Sequence, residues 1–327
     1  MPRLVVLLAL LLVLISGCPG DDPPVLSPIP AFVSAHTLED GDVGVDGPLS
    51  QGLPGDVLME NGRIRAVLQQ PGRALALNPY GGTILDADVV RDDGVDRDRF
   101  GEVGLFVNSA FAIAPETMDI VEDGSEGRAV VQFTGPAGRA DYINAAVGMK
   151  EMMGIDYPID TLTVPDIELT VTYTLTPYDA HLGIDVEIAN QGDEALPLAA
   201  GWLIHGGLAE NYYPALGGYR TTQIASAGAL LVAGDEVAYA FAPLPYQPGE
   251  HGLGFMAGGS VLIDSIQILD VLSWPDSASA VLAPGDTFAF DAAFVVGADV
   301  SGVMHTLRGL GDEPPESVQI TGTVQVD

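Results

Sequence analysis

The stretch from Gly55 to Val90, GDVLMENGRIRAVLQQPGRALALNPYGGTILDADVV, decides the fold class. Between Val57 and Leu68 two short β-rich runs flank Asn61-Gly62, a pair able to take the φ > 0 turn that joins hairpin strands. In the second run Ile64, Ala66 and Leu68 alternate with Arg63, Arg65 and Val67. One face is therefore apolar and the other mixed, as in a half-buried antiparallel strand. After Pro71-Gly72, the run Ala74 to Leu77 is predicted as another strand, and Asn78 to Gly82 as a turn whose glycines allow close backbone approach. Thr83 to Val90 resumes strand character.

Working outward, the same rhythm returns from Gly104 in Leu105 to Val107, Ala110 to Ala114, Asp119 to Val121 and Ala129 to Thr134, parted by Gly, Pro, Asp and Ser. Tyr142 to Met153 is the place for a short helix, with Met149, Met152 and Met153 as core packing. Glu168 to Leu175 and Leu182 to Ile188 alternate, and Asn190 to Asp193 turns into Leu196 to His205. The last third alternates apolar runs with Pro and Gly: Ala229 to Ala233, Val237 to Ala242, Gly252 to Ala257, Val261 to Leu272 and Thr287 to Val296. Gly309 to Glu316 is turn-rich, and Ser317 to Val326 begins a further strand. The expectation is an all-β, antiparallel sandwich with at most one or two short helices.

Composition narrows the function classes. The 327 residues carry 12 Lys+Arg against 45 Asp+Glu, a formal charge of -33, and Lys150 is the sole lysine. Nucleic acid is excluded as a partner, because phosphate-backbone binding needs clustered cations. The acidity reads as a solvated, self-repelling surface.

The chain opens with Met1-Pro2-Arg3 and an apolar run from Leu4 to Ile15, too short for a comfortable membrane span and suited to a targeting segment. It ends in Ile15-Ser16-Gly17-Cys18, and Cys18 is the single cysteine of the chain, so no disulfide forms within a monomer. This resembles the lipobox of bacterial lipoproteins. The resemblance implies a signal peptide over 1–17, a lipidated Cys18, a membrane partner through that anchor, and a place in the bacterial cell envelope on the periplasmic face or the cell surface. Residues 18–30, rich in Pro and Asp, read as a flexible tether, 31–311 as the β domain, and 312–327 as a Pro-rich linker with a terminal strand.

Two acidic segments invite a calcium reading and fail it. In Arg91 to Glu102, Asp96 and Asp98 have alternate spacing, but Phe100 occupies the third ligand position and no Glu closes the loop; in Glu39 to Gly47, Gly44 fills a ligand slot. Both read as solvated loops. His36, His181, His205, His251 and His305 are isolated, without metal-ligand spacing. No metal and no cofactor is expected, and no nucleophile elbow or phosphate loop occurs.

The block from Ile167 to Gly207, with its Tyr-x-Leu strand, its Leu-x-Ile-x-Val-x-Ile-x-Asn strand, a Gly-Asp turn and a strand ending in His205, resembles the centre of the galactose-mutarotase-like β-supersandwich. The Asn61-Gly62 hairpin and Gly81-Gly82 resemble its opening strands. From Gly55 to about Val296 the chain also looks like the amino-terminal region of secreted and lipid-anchored bacterial proteins, some of which continue into a PHP-type metallohydrolase domain. Ser317 to Val326 looks like the first strand of a carboxypeptidase-regulatory-like domain.

Mutarotases and aldose epimerases use a glutamate base and a histidine acid. His205 lies near the family's histidine strand, but the late-strand glutamate has no counterpart, since Glu313 and Glu316 stand in a Pro-rich tail. The expected function is a non-catalytic carbohydrate-binding or scaffold module, with a carbohydrate or an envelope protein as partner. The alternatives are an aldose-epimerase-like enzyme, the front of a metallohydrolase, and a protein-interaction module. The candidate ligand surface is the loop Gly206 to Tyr219 with Asn211, Tyr212 and Tyr213, completed by Tyr80, Arg99, Trp202 and His205. Aromatic rings beside amide groups suit a sugar, whose C–H faces stack and whose hydroxyls hydrogen-bond.

Overall fold

A computed structural model describes residues 31–75, 78–108, 110–140, 150–151, 154, 162–198, 200–213, 218–219, 223–226, 229–246, 253–257, 261–264 and 281–311. The targeting segment with Cys18, most of Tyr142 to Met153, His251, residues 265–280 and the terminal strand after 311 lie outside the described residues.

Two antiparallel sheets face each other. The first runs β1 (Val33–Thr37), β2 (Val57–Asn61), β3 (Ile64–Leu68), β4 (Ile84–Val89), β5 (Glu102–Val107), β12 (Ala200–His205), β19 (Val261–Asp264), β18 (Leu253–Ala257) and β15 (Gln223–Ser226). The second runs β7 (Thr117–Asp123), β8 (Ala129–Arg139), β9 (Ile167–Leu175), β10 (His181–Asn190), β21 (Thr287–Gly297), β17 (Ala238–Pro243), β16 (Leu230–Ala233) and β13 (Glu210–Tyr213). The sheets are joined through β8, whose first part pairs with β9 while its end, Ala137 to Arg139, pairs with β6 (Phe111–Ile113) beside β5. β14 (Gly218–Tyr219) extends β13, and β11 (Leu196–Pro197) pairs with β20 (Val281–Leu282) as a separate ribbon. The architecture is the all-β antiparallel sandwich expected from the alternation.

The period-two pattern becomes the core. Along β10, Leu182, Ile184, Val186 and Ile188 are buried while Asp185 and Glu187 face water. Each such aliphatic side chain, once buried, stabilises by roughly 1.5–3 kcal/mol. Between the sheets, Phe100 packs 5.1 Å from Tyr239 and 4.8 Å from Phe294, centroid to centroid, and Trp202 lies 4.7 Å from Phe241. The hairpin between β2 and β3 forms, although neither Asn61 nor Gly62 takes φ > 0, and Asn61 does more than turn: its Nδ2 donates to Thr176 O at 2.6 Å and Asp179 O at 2.9 Å, tying the first sheet to the second.

Three sequence readings are corrected. Of the strand expected over Ala74 to Leu77, Ala74 and Leu75 form none, Leu75 N instead donating to Asn78 O at 3.2 Å, and Ala76 and Leu77 lie outside the described residues. A helix, α1 (Val300–Gly309), occurs where none was expected; Asp299 caps it through Oδ1, which accepts from Gly302 N at 2.8 Å, and it buries Val303 and Leu307 on the outer side of the second sheet. The segment Arg91 to Glu102 is a solvated loop only in its first part, where Asp92 to Val95 are exposed; Asp98, Phe100 and Glu102 are buried. Asp86 accepts from Gln51 N at 2.9 Å and Gly52 N at 2.6 Å, and Asp98 Oδ1 accepts from Ala87 N at 3.0 Å and Phe100 N at 3.1 Å. Part of the chain's acidity therefore staples loops onto the outer side of the first sheet instead of facing water.

Candidate functional site

The residues expected to bind a ligand divide among three places. β5 and β12 pair so that His205 stands opposite Glu102, Leu203 opposite Gly104, and Gly201 opposite Phe106. Ala200, Trp202 and Ile204 point with Val103, Leu105 and Val107 into the core, so Glu102 and His205 stand together on the outer face of the first sheet. Direct antiparallel neighbours hold their Cβ atoms about 4.5–5.5 Å apart.

Glycines shape this face. A Cβ on Gly101 would collide with His205 Nδ1, and one on Gly138 would strike the ring of Tyr80, so both rings lie directly on backbone. Tyr80 is fixed further by its hydroxyl, which donates to Arg139 O at 2.7 Å. Glu102, 1% exposed, holds the turn that carries Tyr80: its Oε1 accepts from Asn78 N at 3.0 Å and from Thr83 Oγ1 at 3.2 Å, while Asn78 Oδ1 accepts from Tyr80 N at 2.9 Å. Glu102 thus stands in register with His205 and holds the turn that carries Tyr80. Sequence reasoning missed it because the acidic loop before it masked the strand, although the Val103, Leu105, Val107 alternation places Glu102 on the outward face.

Arg99 enters from the neighbouring backbone. Its carbonyl accepts from Leu208 N at 2.9 Å, and a Cβ on Gly207 would clash with that carbonyl, so 99–101 runs against 205–208. Its guanidinium turns toward the β16–β17 turn, where Nη2 donates to Asp235 Oδ2 at 3.1 Å. Burial lowers the pKa of His205, so its imidazole is neutral near neutral pH and can both donate and accept a hydrogen bond.

The other candidates point elsewhere. Trp202 is 1% exposed within the intersheet core and offers no face to solvent. Asn211 stands opposite Val232, is also 1% exposed, and neither its Oδ1 nor its Nδ2 has a partner among the described residues. Tyr212 packs on the outer cluster of the second sheet, on the side that carries α1. Tyr213 lies in β13, and its side chain is outside the described atoms, as are 214–217. The structure therefore sets His205 and Tyr80 on the outer face of the first sheet, brings only the backbone of Arg99 to the 205–208 segment, and places Trp202, Asn211 and Tyr212 elsewhere. Among the described residues, no group of three or more His, Asp, Glu or Cys is placed to hold a metal.

No family model matches the sequence, and no curated protein matches it either. Solved structures that are distantly similar to it do occur. A galactose mutarotase-like protein from Clostridium acetobutylicum is 8% identical, with a TM-score of 0.39, over 75% of this chain and 95% of that one. A protein provisionally assigned as an aldose 1-epimerase from Klebsiella pneumoniae is 8% identical, with a TM-score of 0.43, over 80% of this chain and 85% of that one. An alpha-mannosidase from Enterococcus faecalis is 10% identical, with a TM-score of 0.45, over 77% of this chain and only 30% of the mannosidase. The galactose-mutarotase-like likeness read from the strand pattern is thus found among solved structures, while at such identities and TM-scores these neighbours assign no substrate or reaction to this chain.

Proposed function

We propose that the chain is a lipid-anchored protein of the bacterial cell envelope that binds carbohydrate without transforming it, on the outer face of the first sheet around His205 and Tyr80. The observation that carries this reading is the state of Glu102. The carboxylate in register with His205 is buried and takes hydrogen bonds from Asn78 N and Thr83 Oγ1, so it serves the loop and is not poised to abstract a proton. What the face offers a ligand is a neutral imidazole and a tyrosine ring packed against Gly138. These are groups for stacking and hydrogen bonding.

The test is binding of the detergent-solubilised full chain to a broad glycan panel. Saturable binding that His205→Ala weakens at least about tenfold supports the reading, the loss expected when a ligand gives up a hydrogen-bonding partner in a shielded site. Binding that ignores His205→Ala, or none across the panel, overturns it. Palmitate labelling that is lost in Cys18→Ser tests the anchor.

The register of Glu102 with His205 favours one second reading, an aldose-epimerase-like catalyst whose acidic partner sits on β5 instead of a late strand. Sugar-anomer exchange above the buffer rate, removed by both His205→Ala and Glu102→Gln, would establish it in place of the binding module.

A further inference from the structure

An open cleft of about 650 Å³ lies at one end of the sandwich, between the β2–β3 hairpin, the end of β4 and the start of α1. Its volume is in the range of about 300–1,000 Å³ typical of small-molecule sites. Hydrogen bonds fix its walls: Val90 N donates to Arg63 O at 2.7 Å, Val296 N donates to Ala180 O at 3.0 Å, and Asn61 holds the hairpin against Thr176 and Asp179.

The polar groups that line it are Arg63, Asp92, His305 and Thr306, with Arg63, Asp92 and His305 exposed. Arg63 differs from most arginines of this chain. Arg65, Arg73, Arg91, Arg97, Arg99 and Arg128 each lie in an ion pair with an Asp or Glu, whereas Arg63 makes no ion pair among the described residues. In a protein of net charge -33, a guanidinium left without a carboxylate at the mouth of a cleft marks the wall where an anion is favoured. Val90, 44% exposed, with half-buried Val89 and Ala180 beside it, supplies an apolar strip in the cleft, while Ile64 and Val296 back it from the core.

The geometry points to a second ligand site, for a small hydroxylated carboxylic acid such as a sugar acid. Its carboxylate would take the fork of Arg63, its hydroxyls would donate to Asp92 and meet His305 and Thr306, and its C–H face would lie on the apolar strip. The site shares no residue with the face around His205 and does not depend on it.

Isothermal titration of the full chain in detergent with D-glucuronate, D-glucose and propionate tests the assignment. Glucuronate carries both the carboxylate and the hydroxyls, glucose lacks the first and propionate the second. Saturable glucuronate binding, at least about tenfold tighter than either comparison ligand and weakened about tenfold or more by Arg63→Ala, is expected. His305→Ala weakens it less, and Arg128→Ala, at an exposed ion pair with Glu122 outside the cleft, leaves it unchanged. Absence of glucuronate binding, equal binding of glucose, affinity indifferent to Arg63→Ala, or an equal loss in Arg128→Ala would each overturn the site. Arg63 and His305 are exposed, so neither variant disturbs the core.

Discussion

Replacing Asp98 by Asn should make the protein less sensitive to alkaline pH. Burial is the main cause that pushes the Asp98 carboxyl up to about 8, with Asp86 adding repulsion, and burial likewise pushes Asp86 up to about 7. In the unfolded chain an aspartate titrates near about 3.9. Above that pH the unfolded state has released a proton that the folded state still holds, so stability falls as pH rises. The contribution is complete below the unfolded value and is lost as pH climbs through the folded one. The slope is about 1.4 kcal/mol per pH unit for each carboxyl. For Asp98 this amounts to about 3 kcal/mol between about pH 5 and pH 7.

Asparagine keeps an oxygen to accept from Ala87 N and Phe100 N, and it has no proton to lose. The assay is urea unfolding of both proteins across about pH 5 to 8, comparing the two curves. The difference between them cancels His181 and His205, whose pKa values burial lowers and which therefore withdraw stability as pH falls. Asp98→Asn should gain on the parent steadily as pH rises and be the more stable protein at about pH 8. Curves that stay parallel throughout would show that Asp98 is ionised in the folded protein, and would refute the reasoning.

Two further predictions concern the frame. Trp202→Ala should lower the unfolding free energy by about 3–5 kcal/mol in urea titrations, since the indole fills the intersheet core beside Phe241; a loss below about 1 kcal/mol would place the ring outside the core. Asn61→Ala removes donations to Thr176 O and Asp179 O and the acceptor for Arg63 N at 2.7 Å and Ile64 N at 2.9 Å, and should cost about 2–4 kcal/mol by the same assay.

The strands were legible because alternation reports burial directly. β3, β9 and β10 each carry apolar residues at every second position, and each pairs where that pattern demands. The same alternation, followed through Ala200, Trp202 and Ile204, places Trp202 inside; its ring suggested a sugar platform only while the residue was read alone. α1 was obscured by Gly302 and Gly309, which lower helix propensity, although the Asp299 cap and the Val303–Leu307 spacing were both present. The buried acids were not legible at all. Asp86 and Asp98 bond to backbone N–H groups of Gln51, Gly52 and Ala87, partners that only the folded chain brings near. Glu102 was overlooked for the same reason, since its role rests on Asn78 and Thr83, two dozen and nineteen residues upstream.

The eleven residues of β8 have a mechanical consequence. One unbroken strand is stitched to β9 in the second sheet and to β6 in the first, and Tyr80, lying on Gly138, touches that strand where it passes from one to the other. A sandwich so spliced cannot open like a book to admit a ligand, because parting its covers would tear the ladder that crosses the spine. Adjustment to a guest must come from the connecting segments, the β3–β4 turn that carries Tyr80 among them, while the imidazole at the end of β12 keeps its place on the sheet.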